Sequence, residues 1–533
     1  MTVLPWEASE LRGAEESAEA IVFLNTGRRA ESSSQGAVNF TSVKAMQKTG
    51  KRTISIQMNL FEGEWEECGQ TARGTDVYCT TSGQVSQEWL SDCERERVLT
   101  ERLLDKIADI RNLEYASRQV VSNGGSPGVD GMTVKELKQW LNQNWRELQQ
   151  ELLSGRYKPS VVRGVKIPKA KGGSRQLGIP TVKDRLLQQA VHQVMSNRYE
   201  QIFSETSYGF RPHRSAHQAL QQGGRYIEAG YRWLVDIDLE KFFDKVDHNR
   251  TMWLLSRRIG DKRLLKLIHQ FLKAGMLEGG IVSQRIAGTP QGGPLSPLLS
   301  NIILDELDKE LERRGHRFVR YADDLRIFLR SETSANRVME SITYFIEKRM
   351  KLKVNRTKSK VCKNYATNFL GHGFHTDGRL FLSKESELRL KQKVRLITKR
   401  NRGISLERLI AELNRVLRGW LNYFRYAQMK GRLRTLESWI RRRIRCYRLK
   451  QCKRAIGIYR FIRKQGVPEW RSWLLAGSSK GWWRLAGSPG ANEAMNNQWF
   501  KNIGLFTLLE NYQRLKLEET AVYVSTHGGV RGR

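Results

Sequence analysis

The sequence predicts an α+β fold that is followed by an all-α region. Between residues 155 and 375, short runs rich in β-branched and aromatic residues alternate irregularly with helical segments, without the regular repeat of a parallel sheet. From about residue 386 to 465, apolar residues recur at helical spacing throughout. With 533 residues and a hydrophobic content of 39%, the chain is long enough for three or four domains with their own cores.

The charge of the chain is strongly positive and unevenly placed. The formal net charge is +37 and the pI is near 10.2, far beyond what solubility requires. Residues 1–93 carry 8 Lys and Arg against 13 Asp and Glu, whereas residues 388–465 carry 25 against 3. A large polyanion is the natural partner of such a chain, and nucleic acid is the first candidate.

The composition indicates neither a membrane anchor nor a structural zinc site. No stretch approaches the roughly 20 apolar residues that span a bilayer, and no basic region followed by an apolar core opens the chain. We therefore expect a cytoplasmic protein that associates with the nucleoid and not with a membrane. No C-x-x-C pair occurs, so we expect free thiols at all six cysteines, which are Cys68, Cys79, Cys93, Cys362, Cys446 and Cys452.

The elements begin after an N-terminal extension. Residues 1–95 are rich in Ser, Gly and Glu with little periodicity, and their role is unknown. A helical pattern starts at Arg97 and ends at the turn-rich stretch 123–131, which marks the entrance to the main domain. We expect the main domain to occupy residues 96–375.

The all-α region is expected at residues 386–465. Its clearest helix begins at Ser405, a favourable N-cap residue, and its arginines lie mostly away from the apolar side. That apolar side is formed by Leu406, Leu409, Ile410, Leu413, Leu417, Trp420, Leu421 and Phe424. The last segment, residues 466–533, is rich in Trp and Gly and is too short for a large catalytic domain.

A pair of adjacent aspartates is the strongest chemical signal. In the stretch 316–328, two apolar strand-like pieces meet at Asp323 and Asp324. Carboxylates at a tight turn between strands suit a pair of Mg²⁺ ions over a phosphoryl-transfer site. An isolated pair of this kind is more often only a solvated turn, so the interpretation needs further acidic residues.

A second acidic source lies in the stretch 233–244, where an apolar run ends in carboxylates and then aromatic residues. A two-metal nucleotidyl-transfer site needs acidic ligands from separate strands, because the ions act on the attacking hydroxyl and on the leaving group. Asp236 and Asp238 share one strand face by their period-2 alternation. Their spacing alone does not choose between them.

Several motifs in order resemble the palm of a reverse transcriptase. They are Asp238 with Phe242 and Phe243, then Gly288-Thr289-Pro290-Gln291-Gly292-Gly293-Pro294-Leu295-Ser296-Pro297, then Tyr321-Ala322-Asp323-Asp324. More narrowly, Leu177-Gly178-Ile179-Pro180 and Leu295-Ser296-Pro297-Leu298-Leu299-Ser300-Asn301 resemble proteins encoded by bacterial group II introns. The resemblance extends over roughly residues 97–500 and implies a right-hand polymerase with fingers and palm and an all-α thumb, called domain X.

The resemblance also implies roles for residues at matching positions. Asp238, Asp323 and Asp324 would be catalytic and bind two Mg²⁺ ions, which makes Asp236 the less favoured ligand. Lys358 is implied as a proton donor to pyrophosphate. Four residues would bind the incoming dNTP or lie near the template, namely Lys169 and Arg175 at the triphosphate, Phe243 as the aromatic that excludes a ribose 2′ hydroxyl, and Gln291.

Plainer alternatives exist for these positions. Phe243 could be a core residue, Lys169 and Arg175 an exposed basic loop, and Lys358 a solvated charge. Arg441, Arg442, Arg443 and Arg445 could form a solvated helix face. The positive charge of residues 388–465 is so large that this segment would repel itself without an anion. This favours RNA binding by these four arginines.

The predicted function is RNA-directed DNA polymerase and intron maturase, supporting splicing and mobility of a group II intron by target-primed reverse transcription. The implied partners are the intron RNA, target DNA with its primer, and dNTPs. Two rivals stay open, a maturase that acts mainly as an RNA-folding cofactor and a host-adopted defence reverse transcriptase. In residues 466–533 there is no cysteine and only His527, so this nucleic-acid-binding segment is expected to lack an HNH endonuclease.

Overall fold

The computed structural model describes residues 102–168, 174–278, 281–283, 288 and 292–527. The first part of the chain forms helices around a short hairpin. Its elements are α1 (Leu103–Ile107), α2 (Ile110–Asn123), α3 (Leu137–Leu153), β1 (Val162–Pro168), β2 (Ser174–Ile179), α4 (Val182–Glu200) and α5 (Ala216–Glu228).

The middle of the chain supplies most of the strands. Its elements are β3 (Trp233–Ile237), α6 (Phe242–Lys245), α7 (His248–Ser256), α8 (Lys262–Lys273), β4 (Met276–Glu278), β5 (Ile281–Ser283), α9 (Ser296–Arg313), β6 (Arg317–Tyr321), β7 (Asp324–Leu329), α10 (Glu332–Tyr344), a π-helix (Phe345–Arg349), β8 (Lys360–Lys363), a 3₁₀ turn (Asn364–Ala366), β9 (His372–Phe374) and β10 (Leu380–Leu382).

The rest of the described chain is helical. Its elements are α11 (Lys384–Ile397), α12 (Leu406–Phe424), α13 (Lys430–Gln451), α14 (Ala455–Lys464), α15 (Glu469–Ala476), α16 (Trp482–Leu485), α17 (Pro489–Ala494), α18 (Asn497–Asn502) and α19 (Leu508–His527). The predicted helical pattern from about residue 386 to 465 is confirmed. As predicted, Ser405 caps α12 by accepting a hydrogen bond from the Arg408 N–H, and Leu409 through Phe424 bury one side.

Antiparallel pairing dominates the sheets. The central sheet has the order β6-β7-β3-β8 and is antiparallel throughout, with Ile237 opposite Leu325 and Tyr321 opposite Asp324. A second sheet has the order β2-β1-β4-β5, in which β1 and β4 pair in parallel. β9 and β10 form a separate two-stranded sheet. Helices and mixed sheets together give the predicted α+β arrangement.

The predicted N-terminal helical pattern is divided in two. Asp109 interrupts it between α1 and α2, and its carboxylate caps α2 by accepting from the Arg111 N–H. α2 ends where Gly124 and Gly125 adopt positive φ values of 67° and 110°, which favour glycine. The turn-rich stretch after residue 123 therefore ends the helix as predicted.

The largest hydrophobic core joins the central sheet to the C-terminal helices. Phe328 of β7 and Phe374 of β9 belong to the same buried cluster as Trp420 and Phe424 of α12. No helix among the described residues is long and apolar enough to cross a membrane. Within the same residues, Cys362, Cys446 and Cys452 are free thiols, whereas Cys68, Cys79 and Cys93 lie outside them.

Candidate active site

The aspartate pair stands at the turn between β6 and β7. Ala322 and Asp323 connect the two strands, and Ala322 adopts φ 56°, in the left-handed region that is rare for residues other than glycine. The strands are apolar and buried on both sides of the turn, whereas Asp323 and Asp324 are partly exposed. The predicted strand–turn–strand unit is confirmed. It presents both carboxylates at the edge of the central sheet that is formed by the strand ends, not by an outer strand.

Asp238 reaches the same edge from the neighbouring strand. Ile237, the last residue of β3, pairs with Leu325, so Asp238 and Asp324 follow next to each other in the antiparallel register. The backbone of Asp238 is held on its other side, because its N–H donates to Ser359 Oγ at 3.0 Å and its carbonyl accepts from the Asn355 N–H at 2.8 Å.

Lys358 lies beside Asp238. Its Nζ is 3.2 Å from Asp238 Oδ2, and both side chains are open to solvent, with exposed fractions of 67% and 32%. The structure thus brings together two residues that are 120 positions apart in sequence.

Asp236 takes part in a buried ion pair. Arg326 Nη1 lies 2.7 Å from Asp236 Oδ1 and 3.2 Å from Asp324 Oδ1, so one guanidinium holds two carboxylates. Burial raises the pKa of Asp236 to about 6, and the attraction of Arg326 opposes the shift. Burial disfavours the charge of Arg326, but the fields of Asp324 and Asp236 raise its pKa. The Asp236 carboxylate is therefore already paired with Arg326, below the strand ends that carry Asp238 and Asp324.

A second buried arginine fixes the turn. Arg320 of β6 forms a two-pronged ion pair with Asp308 of α9, and both side chains are almost fully buried. Arg320 Nη1 also donates to the carbonyl of Ala322 at 2.9 Å and to Asn301 Oδ1 at 3.0 Å. Asn301 Nδ2 in turn donates to the carbonyl of Gly209. The backbone next to Asp323 is thus held by a buried network.

Gly209 completes the support of this turn. A Cβ atom at this position would lie 2.1 Å from the Ala322 backbone nitrogen, a distance that real Cβ atoms do not reach. Only glycine allows this close approach of two backbones. The segment before α5 therefore packs directly against the turn that carries Asp323.

Phe243 and the Gly-rich loop contact each other. Phe243 is half-buried in α6, and its ring lies 5.2 Å from that of the buried Phe242. At Gly288 the φ angle is 89°, and a Cβ there would lie 2.8 Å from the Phe243 carbonyl oxygen. His248 Nε2 donates to the Gly288 carbonyl at 2.7 Å. The start of the loop is thus anchored to the segment that carries Phe243.

The structure describes one of three predicted substrate-binding residues, and only by its backbone. Lys169 and Gln291 lie outside the described residues. Of Arg175 only the backbone is described, and it pairs with Ile167 where β2 lies beside β1. Their placement near a nucleotide stays a prediction.

The four arginines of α13 do not form a freely solvated face. Arg441 donates to Asn497 Oδ1 and pairs with Glu437, and Arg443 donates to Thr398 Oγ1. The two others lie against aromatic rings, Arg442 over Trp483 and Arg445 over Phe500, and both also donate to backbone carbonyls. All four tie α13 to neighbouring helices.

The carboxylates at the sheet edge are the candidate ligands for a divalent metal ion. Within the described residues, no three His, Cys, Asp or Glu side chains are grouped so as to hold a metal. Cations of the chain itself lie at two of the carboxylates, Lys358 at Asp238 and Arg326 at Asp324. Carboxylate oxygens are the ligands that hard divalent cations take, so the donor types fit such an ion.

Sequence reasoning missed four residues that position this site, Asn301, Arg320, Arg326 and Ser359. A signal was present for the two arginines. Each interrupts an apolar strand beside the aspartate pair, and a charge at such a position is almost never buried without a partner. For Asn301 and Ser359 the local pattern holds no comparable signal, because their partners are distant in sequence.

Two family descriptions match this chain. "Reverse transcriptase (RNA-dependent DNA polymerase)" matches residues 167–374, which contain Asp236, Asp238, Asp323 and Asp324. "Group II intron, maturase-specific domain" matches residues 388–466, which contain α12, α13 and α14.

This chain is also similar to individual proteins, two of which are named for introns. Protein YkfC of Escherichia coli (strain K12) is 34% identical over 313 residues, 51% of this chain and 82% of YkfC. The group II intron-encoded protein LtrA of Lactococcus lactis subsp. cremoris is 42% identical over 182 residues, 34% of this chain and 29% of LtrA. The putative COX1/OXI3 intron 2 protein of Saccharomyces cerevisiae is 31% identical over 244 residues, 45% of this chain and 28% of that protein. The chain thus spans most of YkfC and less than a third of LtrA.

Proposed function

Since this chain belongs to the family of group II intron-encoded reverse transcriptases and maturases, we propose that it copies RNA into DNA at Asp238, Asp323 and Asp324. Members of this family are RNA-directed DNA polymerases that also act as maturases, supporting splicing and mobility of their intron by target-primed reverse transcription. The observation that carries the proposed site is the register of the central sheet, which brings Asp238 to the edge occupied by the aspartate pair.

Divalent metal ions are general to reverse transcriptases. We propose that Asp238, Asp323 and Asp324 would hold two Mg²⁺ ions, which when bound would polarise the phosphate and favour ionisation of the primer 3′ hydroxyl. Holding them requires that Lys358 leave Asp238. Arg326 would remain beneath the edge, where it balances the charge of Asp236 and Asp324.

The remaining chemistry can be written for the residues of the chain. The primer 3′ oxygen forms a bond to the α-phosphorus of the dNTP while the bond to pyrophosphate breaks. Lys358 would donate a proton to the leaving pyrophosphate, which is supported by its position at Asp238. Phe243 would contact the sugar and exclude a 2′ hydroxyl. Lys169, Arg175 and Gln291 would hold the triphosphate and the nascent pair.

RNA and DNA are the partners that this family implies. We propose that the specific partners are the intron RNA, a target DNA with its primer and dNTPs, and that the protein associates with the nucleoid. The basic helices α11 to α14 would serve as the thumb, or domain X, and residues 466–533 would contribute a further nucleic-acid surface. Residues 96–375 would form fingers and palm.

The experiment that tests the proposal separates polymerisation from splicing. We expect Asp323→Ala to reduce Mg²⁺-dependent cDNA synthesis on a primed RNA template at least about 100-fold, because charge stabilisation of several kcal/mol is lost. Protein-dependent splicing of the intron RNA should be largely retained by the same variant, because the basic surfaces are unchanged. Asp377→Ala, which removes an exposed turn carboxylate, is the matched control. Equal loss of both activities would contradict the proposal.

A further inference from the structure

A groove with aromatic and basic walls lies between α13 and α16, away from the carboxylates. Its volume is about 500 Å³, and it is lined by Arg434, Thr435, Ser438, Trp439, Arg442 and Trp483. Five of these residues come from one side of α13, where positions 435, 439 and 442 follow each other at helical spacing. Trp483 of α16 forms the opposite wall.

The charge of this groove is entirely positive. No carboxylate lines it, whereas another cavity, of about 340 Å³ between α3 and the start of α4, is lined by Asp130 and Glu136 as well as Lys183. The side chain of Arg434 is exposed and, among the described residues, makes neither a hydrogen bond nor an ion pair. An anion is therefore the ligand that this groove suits, and Arg434 is available to bind it.

The aromatic wall is held in place. The Arg442 guanidinium lies 4.3 Å from the centre of the Trp483 ring, and its Nε and Nη2 donate to the Trp483 carbonyl at 3.2 and 2.9 Å. Trp483 nevertheless stays 39% exposed. A large ring that is fixed and open at the same time is suited to stacking against a flat ligand.

We propose that this groove binds one nucleotide of a single-stranded segment of RNA, with the base stacked on Trp483 and its phosphate paired with Arg434. The inference rests on the proposed function, in which α13 binds intron RNA. Aromatic rings alternating with arginine are the usual surface for unpaired bases, and the volume admits about one nucleotide. RNA is favoured over DNA because residues 388–466, which include α13, match the maturase-specific domain.

The test measures binding of the full chain to a fluorescently labelled 12-nucleotide single-stranded RNA. We expect Trp483→Ala to raise the Kd roughly 5- to 100-fold, as for the loss of one stacked base. Trp253→Ala is the matched control, because Trp253 is 52% exposed and lies under the guanidinium of Arg257 but outside the groove. The control should leave the Kd unchanged.

A second variant does not depend on packing. Arg434→Ala removes a side chain without polar partners among the described residues, so folding should be unaffected, and the magnitude of the slope of log K against log salt should fall by about 0.7. Unchanged Kd and salt slope in both variants would overturn the inference. An equal effect on single-stranded DNA of the same sequence would overturn the choice of RNA.

Failure of the groove and failure of the proposed function give different results. cDNA synthesis by the wild-type chain on a primed RNA template tests the polymerase alone. If that synthesis occurs but Trp483→Ala and Arg434→Ala bind RNA like the wild type, only the proposal that the groove binds a nucleotide is wrong. If synthesis does not occur, the proposed function is wrong whatever the groove variants do.

Discussion

At the scale of single residues, the site depends on two buried arginines that anchor its carboxylates. Arg326 pairs with Asp236 and Asp324, and Arg320 pairs with Asp308 while it holds the Ala322 carbonyl. A buried ion pair adds little stability over apolar groups of the same size, yet it can fix one geometry. Arg320 therefore acts as a positioning residue for the turn.

The role of Arg320 can be separated from folding with a double variant. We expect Arg320→Met with Asp308→Leu to be clearly more stable than Arg320→Met alone, because both charges leave the interior together and only the hydrogen bonds to Ala322 and Asn301 are lost. Its kcat for cDNA synthesis should fall about 10- to 100-fold with an unchanged KM for dNTP, since the turn loses its donor to Ala322. Arg320→Met alone should lose about 3–5 kcal/mol of stability, because Asp308 stays buried and unpaired.

The control for this prediction is a partly buried ion pair at the start of the C-terminal helices, outside the segments that contact the turn. Arg402 pairs with Glu412 of α12 and donates to the Ile397 carbonyl, so Glu412→Gln should change stability more than kcat. A double variant at Arg320 and Asp308 that folds and polymerises at the wild-type rate would show that the network has only a structural role.

At the scale of elements, the sequence predicted correctly those strands, turns and helix caps that depend on neighbouring residues. The strand–turn–strand unit at Asp323 and the cap of α12 at Ser405 follow from neighbouring residues, and both are confirmed. The pairing of Asp236 with Arg326 could not be predicted, because it depends on which strands become neighbours. Spacing therefore left Asp236 and Asp238 equivalent, and the register gave them different surroundings.

The arginines of α13 show the same limit. Helical spacing could not reveal that α16, α17 and α18 pack against this helix and engage its guanidinium groups. Burial lowers the pKa of Arg445 to about 10, and its side chain lies over Phe500 and donates to the Met495 carbonyl. At least this arginine contributes to the packing of the C-terminal helices.

We expect Arg445→Ala to lower the free energy of unfolding by about 1–3 kcal/mol, because a charged hydrogen bond and a ring contact are lost. Denaturant titration measures this change. Arg434→Ala on the same helix is the control and should change stability by less than about 0.5 kcal/mol. Weaker RNA binding by Arg445→Ala with unchanged stability would instead support the solvent-exposed, RNA-binding role suggested by the sequence.

At the scale of the whole molecule, stability should depend on pH through buried carboxyl groups. Asp305 of α9 is an example, because burial first and repulsion by Asp308 second raise its pKa from 3.8 to about 6. Between these values the folded chain keeps a proton that the unfolded chain has lost. This group therefore lowers stability as the pH rises from about 4 to 6.

Asp305→Asn removes the loss of stability that accompanies ionisation of Asp305 in the folded chain. We expect the variant to be more stable than the wild type by up to about 3 kcal/mol at pH 7 and to show little difference at pH 4. Urea unfolding at the two pH values measures the difference. Asp377→Asn, at an exposed carboxylate whose pKa is lowered by the Arg379 N–H, should gain no stability at pH 7. A gain for Asp305→Asn that is equal at both pH values would exclude titration as its cause.

The order of strands in the central sheet has a consequence for how the protein is made. β3 lies between β7 and β8, and both of these partners follow it in the chain. At roughly 5–20 residues per second, the ribosome needs several seconds or more to reach Lys363, the end of β8. Until then the apolar residues of β3 lack a complete sheet, so this strand stays open to non-native pairing for that interval during synthesis.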